Sequence, residues 1–371
     1  MNKCKLGKLL KVKHGFAFKS ENYVEKSEYA LVTLANISST NDFQYNEEKT
    51  TYYGASFPSE FILKTGDLIM PITEQVMGLF GNSAFVPYIK HTTFVLNQRV
   101  GKVLVDEEKA DKFFIHYLLS TDSVRNQLEY RASGTRQRNI SPEDVYDVEV
   151  FVPDLEEQRR IGKLLYALEQ RVYNNNCIND NLQQELCLIY EHIMSQSKKG
   201  LILGTHAIAS ELSEITTGRE DANFADTNGK YKFFTCSSET LKCNHYAFNS
   251  SSILIAGNGE FNVKHFSGKF NAYQRTYVLI PKQEYYGLLY LACLYQIKSF
   301  KSSSAGSIVK FITKGDIDDI PVFIPDDGTY LIQMNKLLDL QEMRLRENEK
   351  LLALRDFLLP LLMNGQATIA E

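Results

Sequence analysis

The stretch best equipped to read a nucleic acid is Arg136-Gln137-Arg138-Asn139, which follows Gly134 and Thr135. Arginine makes paired hydrogen bonds with guanine, and asparagine or glutamine with adenine, so this run holds the side chains that direct base readout requires. Arg125 and Arg131 lie just upstream, and Glu129 is the only acidic residue among them. In a chain of formal net charge −4, such a basic segment is where phosphate would be met. Which side chain would read a base and which would hold a phosphate stays open. A solvated surface loop is the plain alternative.

This stretch occurs twice in altered form. Residues 134–154 align with 306–326 at a constant offset, ending in Phe151-Val152-Pro153-Asp154 and Phe323-Ile324-Pro325-Asp326. The second copy offers Ser307 and Lys310 where the first has Thr135 and Arg138. Arg99 and Arg275 occupy matching Asn97-Gln98-Arg99 and Tyr273-Gln274-Arg275 positions, either as braces inside each copy or as DNA contacts. A period this long points to a duplicated domain rather than a solenoid.

The elements that must position these residues also repeat. Tyr29–Thr33 matches Tyr231–Thr235 as a strand, and Asp67–Met70 matches Ser252–Ile255. Val100–Val105 reads as a strand by its β-branched residues. Residues 110–128 and 285–300 have helical spacing. A leucine-rich helix follows each copy. Ile161, Leu164, Leu168, Leu182 and Leu186 mark the first, over residues 155–197. Leu331, Leu338, Leu345, Leu352 and Leu359 recur at sevens in the second, over 331–363, which is a coiled-coil seam pattern. Asn174-Asn175-Asn176 interrupts the first stripe as a kink or a polar layer. A second helix packed on the first must run back along it. The expected fold is α+β: two similar mixed α/β domains separated by an antiparallel pair of long coiled-coil helices, with pseudo-twofold symmetry. The expected boundaries are 1–153, 154–199, 200–326 and 327–371.

Composition bounds the rest. At 371 residues and 44% hydrophobic, with 22 phenylalanines, the chain can build real cores. Its six cysteines have no framework spacing, which suits reduced thiols in a cytoplasmic protein. The lysine-dotted N-terminus lacks a signal-peptide core, and Phe357–Met363 is too short to cross a bilayer. Cys236, Cys243 and His245 match no standard zinc spacing. Pro153-Asp154 and Pro325-Asp326 lack the rest of a nuclease motif and read as helix starts. No phosphate-binding glycine loop and no catalytic constellation is present. Tyr52, Tyr53, Tyr246 and Phe248 could stack on bases, although aromatics of this kind are usually core.

The chain resembles the specificity subunits of type I restriction–modification systems. The resemblance rests on Leu6–Phe18, Thr65-Gly66-Asp67-Leu68-Ile69, Gly134–Ile140, Val152–Ile161 with its Pro153-x-x-x-Glu157-Gln158-x-x-Ile161 turn into a helix, and Leu358–Gly365. It implies a non-catalytic subunit whose two target-recognition domains each read half of a bipartite asymmetric site in double-stranded DNA. It further implies that the helices set the spacing and dock modification (methyltransferase) subunits, two of them. A restriction subunit would join indirectly. No cofactor is expected in this chain, and S-adenosylmethionine belongs on the methyltransferase partner. The DNA contacts would then fall on Arg99, Arg131, Thr135, Arg136, Gln137, Arg138, Asn139, Arg275, Ser307 and Lys310. Ile161, Leu164, Leu168, Leu182, Leu186, Leu338, Leu345 and Leu352 would carry docking. A coiled-coil scaffold whose heads bind protein is the other reading.

Overall fold

The structure is a computed structural model and describes residues 1–259, 261–303 and 311–369. The chain divides into two compact units, Met1–Arg171 with Lys350–Glu371, and Val172–Glu349. Each unit holds one mixed α/β head and a portion of both long helices.

In the first unit, strand Asn2–Lys5 pairs antiparallel with Glu149–Val152, so the head is closed where its chain enters and leaves. Lys3–Glu149 and Lys5–Asp147 ion pairs, 2.8 and 2.7 Å, flank that ladder. One four-stranded sheet runs Leu10–His14, Val100–Val105, Leu68–Pro71, Ala84–Phe85. A second contains Tyr29–Val32 in parallel with Thr93–Leu96. Apolar residues of the first sheet, such as Leu10, Met70 and Val103, pack on Phe114, Ile115, Leu118 and Leu128 of the helices that follow. Full burial of each such side chain stabilises the fold by roughly 1.5–3 kcal/mol.

The second unit repeats this plan. Gly204–Ile208 pairs with Pro321–Pro325, and Ser213–Thr217, Thr276–Pro281 and Phe248–Ala256 follow the order seen in the first head. Tyr231–Phe234 again runs parallel to its neighbour, Val263–Ala272. Because Phe248–Ala256 and Val263–Ala272 are long, 9 and 10 residues, they join what the first head keeps as two sheets into one of six strands. Gly15 and Gly218 serve one purpose in the two heads. A Cβ on either would lie 2.0 Å from a carbonyl oxygen, of Asn97 and Ala272 respectively.

The helix expected over 110–128 is two, Lys112–Leu119 and Asp122–Arg131. The Ser120 and Thr121 hydroxyls donate to the Tyr117 and Leu118 carbonyls, 2.8 Å each, and satisfy the end of the first. Its counterpart in the second head is the single helix Tyr286–Ser303.

The two long helices are Leu155–Lys198, 44 residues without a break, and Thr329–Met363, 35 residues. Asp154 caps the first by accepting from Glu157 N–H at 2.9 Å. At the second, Asp327 rather than Asp326 takes this role, accepting from Thr329 N–H. Within each unit the helices run antiparallel. In the first, Glu169 meets Arg355 while Glu157 accepts from Ile369 N–H. In the second, Asn175 meets Asn348 while Gln341 donates to the Asn179 carbonyl.

The leucine seam does not persist. Leu345 is 40% exposed, and Gln341, Glu342, Asn348 and Asn175 take the buried positions nearby. A straight helix drifts about 20° per heptad from a strict seven-residue repeat, which carries leucines spaced at sevens off the contact line. Asn174-Asn175-Asn176 is therefore a polar layer and not a kink. Asn175 Nδ2 donates to Glu347 and Asn348, and Asn348 Nδ2 donates to Asn176, at 2.8–3.0 Å. Asn176 and Asn348 are themselves repeat counterparts, 172 residues apart.

Candidate nucleic-acid interface

The basic run of the first head folds into a closed loop. Ser133 and Asn139 exchange backbone hydrogen bonds of 3.0 and 2.8 Å, so residues 134–138 form the excursion between them. Gly134 turns the chain at φ +110°, where a Cβ would lie 2.1 Å from the Gln137 carbonyl oxygen. Only glycine fits there without strain. Ser141 and Asp144 then form a capping box that starts Pro142–Tyr146, and Thr313 and Asp316 do the same for Lys314–Asp318. The repeated motif is thus a loop followed by a helix start.

A backbone ladder ties this loop to the Gln-Arg turn. Ile140 N–H donates to the Ile72 carbonyl, and Ile72 N–H donates to the Arg99 carbonyl, both at 3.1 Å. In the second head Ile312 N–H donates to Gly257 at 2.8 Å, and Gly257 N–H to Arg275 at 2.9 Å. The turns themselves match: Val100 N–H donates to Asn97, and Thr276 N–H to Tyr273. Two segments far apart in sequence are brought side by side in both heads.

The predicted residues separate by role. Arg138 is a brace. Its Nη1 lies 2.7 Å from Glu74 Oε1 and 2.5 Å from Glu129 Oε2, and Nη2 donates to the Glu129 carbonyl at 2.6 Å. Glu74 is buried, and the Phe80 ring lies under the guanidinium. The hydrogen bond to Glu129 raises the Arg138 pKa further, so the cation is locked. Arg131 closes a helix end by donating to the Gln127 and Asp147 carbonyls. Both guanidiniums are engaged within the head, which residue type alone does not announce. Opposed carboxylates claim the first and free carbonyls the second.

Thr135 and Arg136 are exposed, and among the described residues no side-chain partner holds Arg136. Thr73 Oγ1 donates to Asn139 Oδ1 at 2.8 Å, and Gln137 Nε2 donates to the same oxygen at 3.3 Å. That leaves Asn139 Nδ2 as an open donor and Gln137 Oε1 as an open acceptor. Arg99 is half-buried, and its carbonyl accepts from Ile72 N–H. Arg275 is exposed and, with Thr217, Asn258, Gln274, Tyr277 and Phe311, lines an open cleft of about 460 Å³. Ser307 and Lys310 lie outside the described residues.

Sequence reasoning missed Glu74, the buried anchor of the loop, and the tip Gln75-Val76-Met77-Gly78 beyond it. Val76 and Met77 are 74% and 76% exposed. Two large apolar residues before a glycine were the available signal. Tyr52 and Tyr53 are core, and Phe248 stacks on Phe270 at 5.0 Å. Tyr246 is exposed, with Lys269 over its ring. Cys243 is buried and donates to the His245 carbonyl, while Cys236 donates to that of Arg275.

Of the residues expected to dock a partner, Ile161, Leu186 and Leu338 are at most 1% exposed. They join the cores of their own units, Ile161 beside Leu362 and Leu186 beside Leu338. A partner cannot touch them. Leu164, Leu168, Leu182 and Leu352 are partly covered, and Leu345 is exposed.

The Pro153-x-x-x-x-Gln158 turn has a definite task. Gln158 Oε1 accepts from Asp111 N–H at 3.2 Å, and its Nε2 donates to the Pro153 carbonyl at 3.0 Å, tying the head's helix to the long one. The second copy lacks this glutamine, and Asn335 replaces it by accepting from Gly287 N–H at 2.7 Å.

Fold and site together define a class: a duplicated mixed α/β protein with antiparallel long helices and a polar loop-and-turn surface on each head. The sequence matches the family described as Type I restriction modification DNA specificity domain over residues 1–184 and 209–336, and the chain belongs to that family. It is 39% identical over 165 residues to the type I restriction enzyme EcoDI specificity subunit of Escherichia coli, covering 43% of this chain and 37% of that one. It is 26% identical over 113 residues to the MjaVIII specificity subunit of Methanocaldococcus jannaschii, covering 30% and 26%. The chain thus spans little more than a third of the length of these relatives, or less. Among solved structures, the type I restriction–modification S subunit from M. genitalium superposes with a TM-score of 0.65 at 17% identity, over 98% of this chain and 96% of that one. No described helix is long and apolar enough to cross a membrane.

Proposed function

We propose that the chain is the DNA-recognition subunit of a type I restriction–modification complex, each head reading one half of a bipartite asymmetric site. The observation that carries this reading is the ladder that sets an arginine-bearing turn beside the polar loop in the first head and, in the second, joins the Arg275 turn to Ile312 in the same way. In the first head, the open Asn139 donor and Gln137 acceptor match the acceptor and donor on the major-groove edge of adenine. Arg136 supplies phosphate or guanine contact, and Arg138 and Arg131 hold the loop in shape. In the second head, Arg275, Gln274 and Asn258 supply the polar contacts, so similar scaffolds address unlike half-sites.

The long helices set the spacing between half-sites and dock two modification subunits, with the restriction subunit joining through them. Exposed apolar residues of the helices, Leu188, Ile332, Met343 and Phe357, offer docking contacts that the buried seam cannot. The chain itself performs no chemistry, methyl transfer from S-adenosylmethionine belongs to the partner, and the assembly works in the cytoplasm.

The test is selection of bound duplexes from a random pool by the chain in complex with its modification subunits. A split motif is expected, and Arg136→Ala should weaken binding several-fold without changing the unfolding temperature. Selection that yields no motif would refute the reading. Binding that Arg136→Ala leaves untouched, with protein ligands recovered instead, would favour a scaffold.

A further inference from the structure

We propose that Val76 and Met77 form an apolar tip that contacts thymine C5-methyl groups in the half-site read by the first head. This rests on the DNA-recognition reading above and adds a specificity determinant to it. Thr73-Glu74 pairs antiparallel with Arg138-Asn139, Glu74 opposite Arg138. From Glu74 the chain therefore leaves in the direction of Gln137 and Arg136, and the tip borders the loop assigned to base reading. The tip is anchored. Glu74 Oε2 accepts from Leu79 N–H at 3.0 Å and closes a short loop, while Glu74 Oε1 holds Arg138. Gly78 at φ +101° makes the return.

A loop fixed at its base by a buried carboxylate presents two large apolar side chains almost wholly to water. Among the described residues nothing covers more than about a quarter of either, and Phe80 and Leu79, directly after the tip, turn inward or partly inward. The polar neighbours Gln137 and Asn139 suit base edges in the major groove. The one apolar feature of that groove is the thymine methyl, which an aliphatic side chain recognises by contact. An apolar tip beside amide readers can therefore separate thymine from cytosine at a neighbouring base pair, which the amides alone do not do.

The experiment uses the full complex and its selected motif, with each thymine of the half-site replaced in turn by deoxyuridine, which removes only the methyl. Burying one such group is worth about a fourfold change in affinity. Loss of about fourfold is expected at one or two thymines with the wild-type chain. The Val76→Ala/Met77→Ala variant should bind thymine and deoxyuridine duplexes alike, keep its preference for the motif over scrambled DNA, and unfold at the wild-type temperature. Indifference of the wild type to deoxyuridine throughout, with motif preference intact, overturns the methyl contact and leaves DNA recognition standing. A deoxyuridine effect that the double variant retains assigns the contact to other residues and also overturns it. Absence of any motif preference would instead sink the reading on which the proposal rests.

Discussion

Arg136 and Arg138 stand two residues apart in one loop, and the structure leaves the first exposed while it holds the second. Arg138 is held by Glu74 and Glu129, with its side chain 18% exposed and that of Glu74 1% exposed. Its removal leaves a buried carboxylate without a cation, an uncompensated charge that costs far more than a surface ion pair contributes. Arg138→Ala should destabilise the first head by about 3 kcal/mol and abolish sequence preference by loosening the loop. Arg138→Lys should recover only part of this, because an ammonium cannot span both carboxylates and the Glu129 carbonyl. Arg136→Ala should leave thermal unfolding in place and lower DNA affinity alone. Denaturation and binding measured on the same three variants separate the roles, and equal unfolding midpoints for all three would refute the brace. Residue type in the sequence made both arginines look alike. What distinguishes them is Glu129 together with the distant Glu74, which no neighbour in sequence announces.

At the scale of elements, the repeat made the heads legible. The matched glycines, the strand order and the capped helix starts all follow from local patterns that survive duplication. The packing of helix on head was less so, because it depends on pairs of residues from different elements that can exchange places. In the first head Gly162 lies on the long helix, and a Cβ there would meet Asp111 Oδ1 at 2.4 Å and Phe114 N at 2.7 Å. In the second the glycine is on the head's helix instead. A Cβ on Gly287 would lie 2.9 Å from Met334, the repeat counterpart of Gly162. The close approach is kept while the small residue changes sides, and so one copy's sequence does not reveal the other's contact. Gly162→Ala and Gly287→Ala should each destabilise by about 2 kcal/mol, as expected when a packed contact is overfilled. Denaturant unfolding would read this, and a neutral result at either glycine would show that the helix can slide away without loss. The coiled-coil seam is interrupted at Leu345 for a related reason. Leucines at sevens promised a continuous stripe, yet the buried pair Asn175 and Asn348, with Asn176 bonded to it from the exposed side, occupies its centre, since a straight helix turns every 3.6 residues.

For the whole molecule, the helices matter through their length and register. Residues 155–171 pair with the stretch after Lys350 inside one unit, and residues 172–198 pair with 329–349 inside the other. Matched insertions at Arg171–Val172 and Glu349–Lys350 would therefore leave every pairing within each unit untouched. Seven residues complete nearly two turns, so the helix faces return to within about 20° of their starting direction. They also add about 10 Å to each helix, the rise of about three base pairs. If helix length sets the distance between half-sites, a complex carrying both insertions should methylate a motif with unchanged half-sites and a spacer longer by about three base pairs. Sequencing of methylated DNA from cells expressing the variant reads this directly. An unchanged spacer in an active, folded complex would show that spacing is fixed elsewhere. Altered half-sites would show that recognition is not confined to the heads, because the insertions leave the loop at 134–139 and the turns at Arg99 and Arg275 in their own units.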